Sequence, residues 1–219
     1  MLFPKNIGPY LSIDETALSE DELYTIITNK EARGRKGAIV AIIRGTKAED
    51  VIEVLLKMKD SLRRRVKEVT LDMAANMGLI IKRCFPKASQ VTDRFHVQKL
   101  VCDALQDMRI AFKYYPQLET GHKLTMQLKG IYHTTKDKNV ALTRLARWYE
   151  AVENTGFQHF NTAKTSIAAH YQTIINFFDN RSTNASAESF NAKIKAFRAL
   201  LRGVKHIPYF LFRLTKIYA

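Results

Sequence analysis

The chain has 219 residues, enough for one sizeable hydrophobic core or for one domain that carries a helical insertion. Thirty-five Lys and Arg residues against 21 Asp and Glu residues give a net charge of +14, which favours a polyanionic partner such as nucleic acid over an anionic membrane surface. The longest wholly apolar run, residues 38–43, is far shorter than the roughly 20 residues that span a bilayer. The N-terminus lacks a secretory signal pattern, and two cysteines without C-x-x-C spacing exclude a disulfide scaffold or a structural zinc site. We therefore expect a protein of the cell interior.

Three short β-rich runs open the chain, at residues 10–14, 23–28 and 37–45. Polar or glycine-containing connections of hairpin length separate them, so we expect three antiparallel neighbours. Thr46 and Glu49 then form a capping-box pattern ahead of an amphipathic helix.

A basic run follows that helix and leads into a fourth strand at 68–73. A second helix must end before Pro86, because the residue preceding a proline avoids the α region. Residues 89–93 form a fifth predicted strand, and a third helix begins near Val97, capped by Thr92 or Asp93.

From that helix to residue 180 the sequence predicts helices without clear strands. A polar, turn-rich linker then leads into a final amphipathic helix that ends at Gly203. We expect three regions: a core at 1–110, a helical insertion at 111–180, and C-terminal helices at 181–219 that complete the core.

Three antiparallel strands, a helix, and further strands joined by helices follow the order of the ribonuclease-H-like fold. The predicted class is mixed α/β, with a five-stranded mixed sheet and an all-helical insertion before the last catalytic helix. Active sites of this fold gather acidic residues around divalent metal. Phosphoryl transfer on a polyanion uses two hard cations roughly 4 Å apart, which carboxylates hold.

Two candidate carboxylates lie on predicted strands. Asp14 closes the first strand, where the alternative interpretation is a residue that merely ends the strand in a turn. Asp72 lies inside the fourth strand, where an unpaired carboxylate is costly unless a cation compensates it. The sequence therefore favours a functional role for Asp72 more strongly than for Asp14.

Glu188 is the third candidate, on the final helix. At about 100° per residue, the apolar positions of this helix form one stripe and its polar positions another. The polar stripe consists of Glu188, Asn191, Lys195, Arg198 and Arg202. The alternative interpretation is a solvated surface with Glu188 favourably placed near the helix N-terminus. With a nucleic-acid partner, the same stripe becomes a metal ligand flanked by phosphate contacts, to which Arg63, Arg64 and Arg65 of the basic run would add.

Four blocks of sequence resemble the catalytic part of bacterial DDE transposases of the ISL3 group, in particular the ISAon1-type elements. These blocks are IDETALSEDELYTIITNK, EVTLDMAANM, FPKASQVTDRFHVQKL and NRSTNASAESFNAKIKAFRALLRGV. The similarity covers essentially the whole chain. It implies metal-dependent DNA strand cleavage and strand transfer during transposition of an insertion sequence. Asp14, Asp72 and Glu188 would be the DDE triad and would bind two Mg²⁺ (or Mn²⁺) ions.

The resemblance also assigns the VTDRFH block. Related transposase groups carry a C/D-x-x-H motif after the second catalytic aspartate, and Asp93 with His96 fits it. We expect an accessory pair, in which Asp93 caps a helix and His96 serves in positioning or substrate contact. Metal ligation by His96 is the less favoured alternative, because Mg²⁺ prefers oxygen ligands.

The implied partner is DNA, both transposon ends and target, in the nucleoid-associated cytoplasm of a bacterium. A homodimer and a separate N-terminal-region polypeptide are further expectations from the family. No N-terminal zinc-binding or helix-turn-helix module is visible, and the sequence changes abruptly at residues 111–123, where an internal deletion is one explanation. A truncated remnant that binds DNA without catalysis is therefore the alternative. Trp148 either stacks on a flipped base or belongs to a core helix.

Overall fold

A computed structural model describes residues 1–19, 22–111, 115–201 and 206–219. Its sheet contains five strands: β1 Tyr10–Ser19, β2 Glu22–Asn29, β3 Ile39–Arg44, β4 Glu68–Leu71 and β5 Ser89–Thr92. They lie in the order β3-β2-β1-β4-β5. β1 pairs with β2, and β2 with β3, in antiparallel fashion, whereas β1 pairs with β4 in parallel. The predicted mixed sheet and its three antiparallel neighbours are confirmed.

Helices make up most of the remaining described residues. They are α1 Ala48–Leu56, α2 Asp60–Arg63, α3 Ala75–Cys84, α4 Arg94–Ala111, α5 Tyr115–Thr134, α6 Lys138–Thr155, α7 Gln158–Ala169, α8 Tyr171–Ile175, α9 Phe177–Asn180, α10 Ala185–Leu200 and α11 Ile207–Tyr218. Short 3-10 helices span Pro4–Asn6 and Lys30–Ala32. Helix α3 ends at Cys84, so the prediction that this helix stops before Pro86 is confirmed. The predicted end of the last helix at Gly203 lies outside the described residues.

The chain divides into two compact units. Unit 1 comprises residues 1–90 and 184–219, and unit 2 comprises residues 91–183. The sequence analysis divides the chain into three functional regions, with boundaries at residues 110 and 180. That division stays a prediction, because compact units need not coincide with functional regions.

Unit 1 has an apolar cluster on each face of its sheet. Leu11 and Ile13 of β1 are fully buried on one face, in a cluster to which β2, β3, β4, α1 and α3 also contribute. Leu18 of β1 and Ile26 of β2 are buried on the other face, with residues of α10 and α11. Successive side chains of a strand point to opposite faces, so β1 separates two cores. The final helices thus complete the fold around the first strands.

Two local predictions differ from the structure. β1 continues to Ser19 and does not end at Asp14, because buried Thr16 and Leu18 extend the pairing with β2 as far as Glu22. The predicted capping box is wrong: Lys47 occupies the N-cap of α1, and no side chain caps this helix. The sequence of β1 alone did not predict the longer hairpin, because residues 15–19 are held in the strand by their pairing with β2.

Unit 2 is built from helices α4 to α9 apart from the last residues of β5. Trp148 of α6 is 2 % exposed, and its indole Nε1 donates a hydrogen bond to the carbonyl of Leu124 in α5 at 2.8 Å. This burial selects the core-helix interpretation over base stacking. Among the described residues, no helix has the length and apolar character to cross a membrane.

Replacement of Trp148 tests its structural role. We expect Trp148→Phe to lower the free energy of unfolding by roughly 1–3 kcal/mol, because the indole hydrogen bond is lost and a cavity opens. Urea denaturation followed by circular dichroism measures this change. Tyr149→Phe is the matched control, since the buried Tyr149 hydroxyl has no hydrogen-bond partner in the described structure. Quenching of the wild-type tryptophan fluorescence by single-stranded DNA would contradict the buried position.

Candidate active site

Asp14 lies in the middle of β1, opposite Ile26 of β2. Its side chain is half-buried on the face that α10 covers. One carboxylate oxygen, Oδ1, accepts a hydrogen bond from the backbone N–H of Glu15 at 2.9 Å. The other, Oδ2, accepts one from the side-chain amide of Asn191 at 2.7 Å. The turn interpretation of Asp14 is therefore wrong, and this carboxylate connects the first strand with the last helix of the predicted site.

Asp72 directly follows β4 and does not lie within it. β1 and β4 run parallel, and Ser12 opposite Thr70 is the last pair of this ladder. Asp14 and Asp72 each follow that pair by two residues, at the carboxyl end of β4, and the negative charge of Asp72 acts on Glu15, the residue next to Asp14. Asp72 Oδ1 accepts a hydrogen bond from the backbone N–H of Ala74 at 2.8 Å, at the start of α3.

Helix α10 presents the two stripes that the sequence predicts. Phe190 and Ile194 are buried against the sheet, with Phe197 and Leu201 packed beside them. Asn191 lies on the polar side and reaches Asp14, and Glu188 precedes it by one turn with an exposed side chain. Residues three apart on a helix have Cβ atoms about 5–6 Å apart. The helix therefore brings Glu188 towards the first aspartate.

Further contacts hold α10 in place. Lys193 Nζ donates to the carbonyl of Gly34 at 2.7 Å and lies 6.0 Å from the ring centroid of Tyr218. Gly34 has φ +67°, and a Cβ there would meet Lys193 Nζ at 2.7 Å. The positive φ is the constraint that favours glycine at this position, because the atom that a Cβ would meet is the end of a flexible side chain.

Glu15 is a carboxylate of this site that the sequence interpretation passed over. Its Oε1 accepts a hydrogen bond from Asn76 Nδ2 at 3.3 Å, and the same amide donates to the carbonyl of Thr46 at 2.9 Å. Burial raises the pKa of Glu15, the Asn76 bond opposes that rise, and the negative charge of Asp72 adds to it. The only sequence signal was a second acidic residue directly after Asp14.

A cleft of about 550 Å³ opens between β1 and α10. Its lining includes Glu15, Thr16, Asn191, Lys195 and Arg198. One wall therefore carries a carboxylate and the other two cations. Such a cleft suits a phosphodiester backbone, because the cations attract its phosphates while the carboxylates stay beside it.

The family model of the ISL3 DDE transposases matches residues 11–113 and 106–214, almost the entire chain. The chain is a member of this transposase family. None of the curated proteins compared with it matches. The two matched segments overlap at residues 106–113, next to the abrupt change at 111–123 in the sequence. The five-stranded mixed sheet with its helices is the ribonuclease-H-like fold of these transposases, which bind DNA and generally use divalent metals.

The transposase offers only oxygen donors at the predicted triad, and hard divalent cations prefer oxygen. The negative charges of Glu15 and Asp72 repel each other, and a bound cation would reduce this repulsion. Within the described residues, however, no three His, Cys, Asp or Glu side chains are gathered closely enough to hold a metal. The donor chemistry fits, and the role of the triad as ligands stays a prediction.

The accessory pair of the transposase lies in unit 2. Asp93 directly precedes α4 and is 1 % exposed, and its Oδ2 lies 3.4 Å from Nδ1 of His96. The neighbouring Phe95 ring meets the His96 ring edge-on at 5.9 Å. The structure thus brings the predicted pair together, and its function stays a prediction.

The predicted DNA-binding arginines of the basic run do not lie at this cleft. Arg63 is mostly buried and donates hydrogen bonds to the carbonyls of Met58 at 3.2 Å and Cys84 at 2.8 Å. Arg64 and Arg65 are exposed, but they precede β4, whereas Asp72 follows it. Arg63 therefore connects structural elements, and its burial disfavours a DNA contact. Arg202 of the polar stripe lies outside the described residues.

The environment of Glu15 predicts a pH-dependent effect on the transposase. Because the pKa of Glu15 is raised in the folded chain, unfolding releases its proton above the ordinary value near 4.5, and stability falls as pH rises from there through the folded pKa. Glu15→Gln removes this loss. We expect the variant to gain in melting temperature over the wild type as pH rises, with no gain at pH 4.

Thermal melts from pH 4 to pH 8 in the presence of a chelator measure this difference. Glu53→Gln is the control, since Glu53 lies on the exposed surface of α1. A difference between Glu15→Gln and the wild type that does not vary with pH would show that Glu15 lacks the raised pKa.

Proposed function

We propose that this chain catalyses metal-dependent cleavage and strand transfer of DNA in the transposition of an insertion sequence. The observation that carries the proposal is the hydrogen bond from Asn191 to Asp14, since it joins the helix of Glu188 to the strand of the first aspartate. Asp14, Asp72 and Glu188 would then act as the catalytic acidic triad. Membership of the ISL3 transposase family supports the same assignment.

Asp14, Asp72 and Glu188 would hold two divalent cations, Mg²⁺ or Mn²⁺. When bound, such ions activate a water molecule or a 3′-hydroxyl as nucleophile and stabilise the leaving oxygen. The protein supplies position and charge. Asn191 fixes one oxygen of Asp14, and the N–H of Ala74 fixes one oxygen of Asp72, so neither carboxylate rotates freely.

The cations of α10 would bind the DNA strand beside the carboxylates. Lys195 and Arg198 line the cleft with Asn191, and their contacts with phosphates would carry no sequence information. Affinity at the cleft should therefore fall as salt concentration rises. Recognition of the element ends would come from another source, and a separate N-terminal-region polypeptide is the partner we propose for it. Because two ends must be joined, we also propose a homodimer.

Loss of a triad carboxylate tests the proposed chemistry. We expect Asp72→Asn to reduce Mn²⁺-dependent nicking of element ends by at least about 100-fold, since several kcal/mol of charge stabilisation depend on the bound metal. Binding of the same DNA in chelator should stay unchanged. The assay supplies the partner polypeptide, and product formation is measured on denaturing gels.

Asp103→Asn is the matched control, because Asp103 is a half-exposed carboxylate on α4 that the mechanism does not use. Nicking that survives Asp72→Asn would overturn the assignment. A folded wild-type chain that binds DNA but never cleaves it would instead favour a catalytically inactive remnant.

Substitutions of Asn191 and Lys195 should separate two proposed roles of α10, the positioning of a metal ligand and the binding of DNA. Asn191→Ala removes the hydrogen bond to Asp14, so we expect Mn²⁺ affinity and cleavage to fall by about 10–100-fold with little change in DNA affinity. Lys195→Ala should weaken DNA binding and leave Mn²⁺ affinity unchanged. Calorimetry with Mn²⁺ alone and anisotropy with labelled duplex measure the two quantities. Equal effects of both substitutions on Mn²⁺ affinity would contradict the positioning role of Asn191.

A further inference from the structure

A second groove, of about 580 Å³, lies in unit 1 at the amino-terminal ends of β1 and β4. Its lining includes Gly8, Pro9, Arg64, Arg65, Lys67 and Lys87. Half of its lining residues are cations, and none is acidic. We call this feature the basic groove.

Backbone hydrogen bonds hold the walls of the basic groove together. The N–H groups of Lys67 and Glu68 donate to the carbonyl of Pro9 at 2.8 and 3.1 Å, and the N–H of Ser89 donates to the carbonyl of Lys67 at 2.8 Å. The starts of β1, β4 and β5 are thereby joined. Gly8 lies against Asn29, where a Cβ would meet the amide oxygen at 2.5 Å. The groove is therefore a fixed part of the sheet.

The cations of the groove are largely available to a ligand. Arg65, Lys67 and Lys87 are exposed, and none of them forms an ion pair with a described residue. Arg64 pairs with the half-exposed carboxylate of Asp60, which also pairs with Arg63 and lies within electrostatic reach of Lys87. Glu68, next to Lys67 in the chain, is buried and pairs with Lys30.

A second set of cations lies at the same end of the sheet. β2 ends at Asn29, opposite Leu11 near the start of β1, and the loop that follows carries exposed Arg33, Arg35 and Lys36. Glu31 is the acidic residue in that loop. The whole end of the sheet is therefore strongly positive, and the potential extends beyond the groove itself.

The basic groove lies away from the cleft of the candidate active site. Lys67 and Asp72 are five positions apart across β4, which corresponds to roughly 16 Å in extended chain. The groove lies at the amino-terminal end of β4, whereas Asp72 follows its carboxyl end. A phosphate held by Arg65 or Lys87 is thus not the phosphate that would react beside the carboxylates.

We propose that the basic groove binds the phosphate backbone of a second duplex DNA segment, distinct from the one in the cleft. Its cations precede two adjacent strands, β4 and β5, and the cations of the loop after β2 continue the positive surface past β1. From β2 to β5 this end of the sheet spans roughly 14 Å, over which a duplex presents about eight negative charges. An extended polyanion matches this spread better than a single phosphate. The proposal rests on the proposed function, since strand transfer must hold two DNA segments at once.

Binding stoichiometry of the full chain tests the proposal. A labelled 20-base-pair duplex is titrated in chelator, so that no cleavage occurs. We expect two duplexes per chain for the wild type and one for the double variant Arg65→Ala with Lys87→Ala. The double variant Lys195→Ala with Arg198→Ala should also bind one, and the combined quadruple variant none. At low salt, where the groove variant still binds the second duplex weakly, the slope of log affinity for that duplex against log salt should be smaller than in the wild type by about two.

Lys82→Ala with Arg83→Ala is the matched control, because it removes two exposed cations from α3, outside the groove. This control should keep two duplexes and the wild-type slope. Melting temperatures of all variants should equal that of the wild type, in contrast to Arg63→Ala, which loses contacts to two carbonyls.

A groove variant that binds two duplexes with the wild-type salt slope would overturn the proposal. So would displacement of the second duplex by millimolar inorganic phosphate, which would indicate a site for a small anion. Failure of the proposed function is a separate result: the wild type would not cleave with Mn²⁺, yet the two-duplex stoichiometry and its loss in the groove variant would persist.

Discussion

The hydrogen bond between Asn191 and Asp14 joins two residues that lie 177 positions apart in the sequence. It forms because Phe190 and Ile194 are buried against the sheet, and this packing leaves the half-buried Asn191 beside β1. The same packing sets the position of Glu188 and of the cations that line the cleft. A change in the apolar stripe would therefore displace a carboxylate, an amide and two cations together. The geometry of the candidate site depends on this core contact more than on any local feature of the strands.

The sequence predicted those parts of the fold that depend on local periodicity. The stripe of α10 could be read directly, because burial on one helix face recurs at fixed spacing. The extension of β1 beyond Asp14 could not, since it depends on pairing with β2. Nor did the sequence indicate the Asn76 contact of Glu15, which links residues 61 positions apart. Arg63 shows the same limit: three consecutive arginines suggested one function, but the fold turns the first towards backbone carbonyls.

In unit 1, the cations that line the cleft and those that line the basic groove lie at opposite ends of the sheet. At the carboxyl end of β4, cations of α10 face carboxylates across a cleft, so the local charge is mixed. At the amino-terminal end, cations of the basic groove and of the loop after β2 gather with little acidic compensation. Attraction of a polyanion at long range should therefore be stronger at the basic end than at the cleft, where carboxylates offset part of the positive charge.

The division of unit 1 into two stretches of chain has a consequence for variation in length. Residues 93–184 separate the last strand of the sheet from the helix that completes it, so α10 docks only after this whole segment has closed into a loop. The entropy of closing a loop grows only with the logarithm of its length, and halving this segment would change it by about 0.6 kcal/mol. Insertions and deletions between β5 and α10 therefore change the stability of the sheet little, provided that the helices between these elements keep a core of their own.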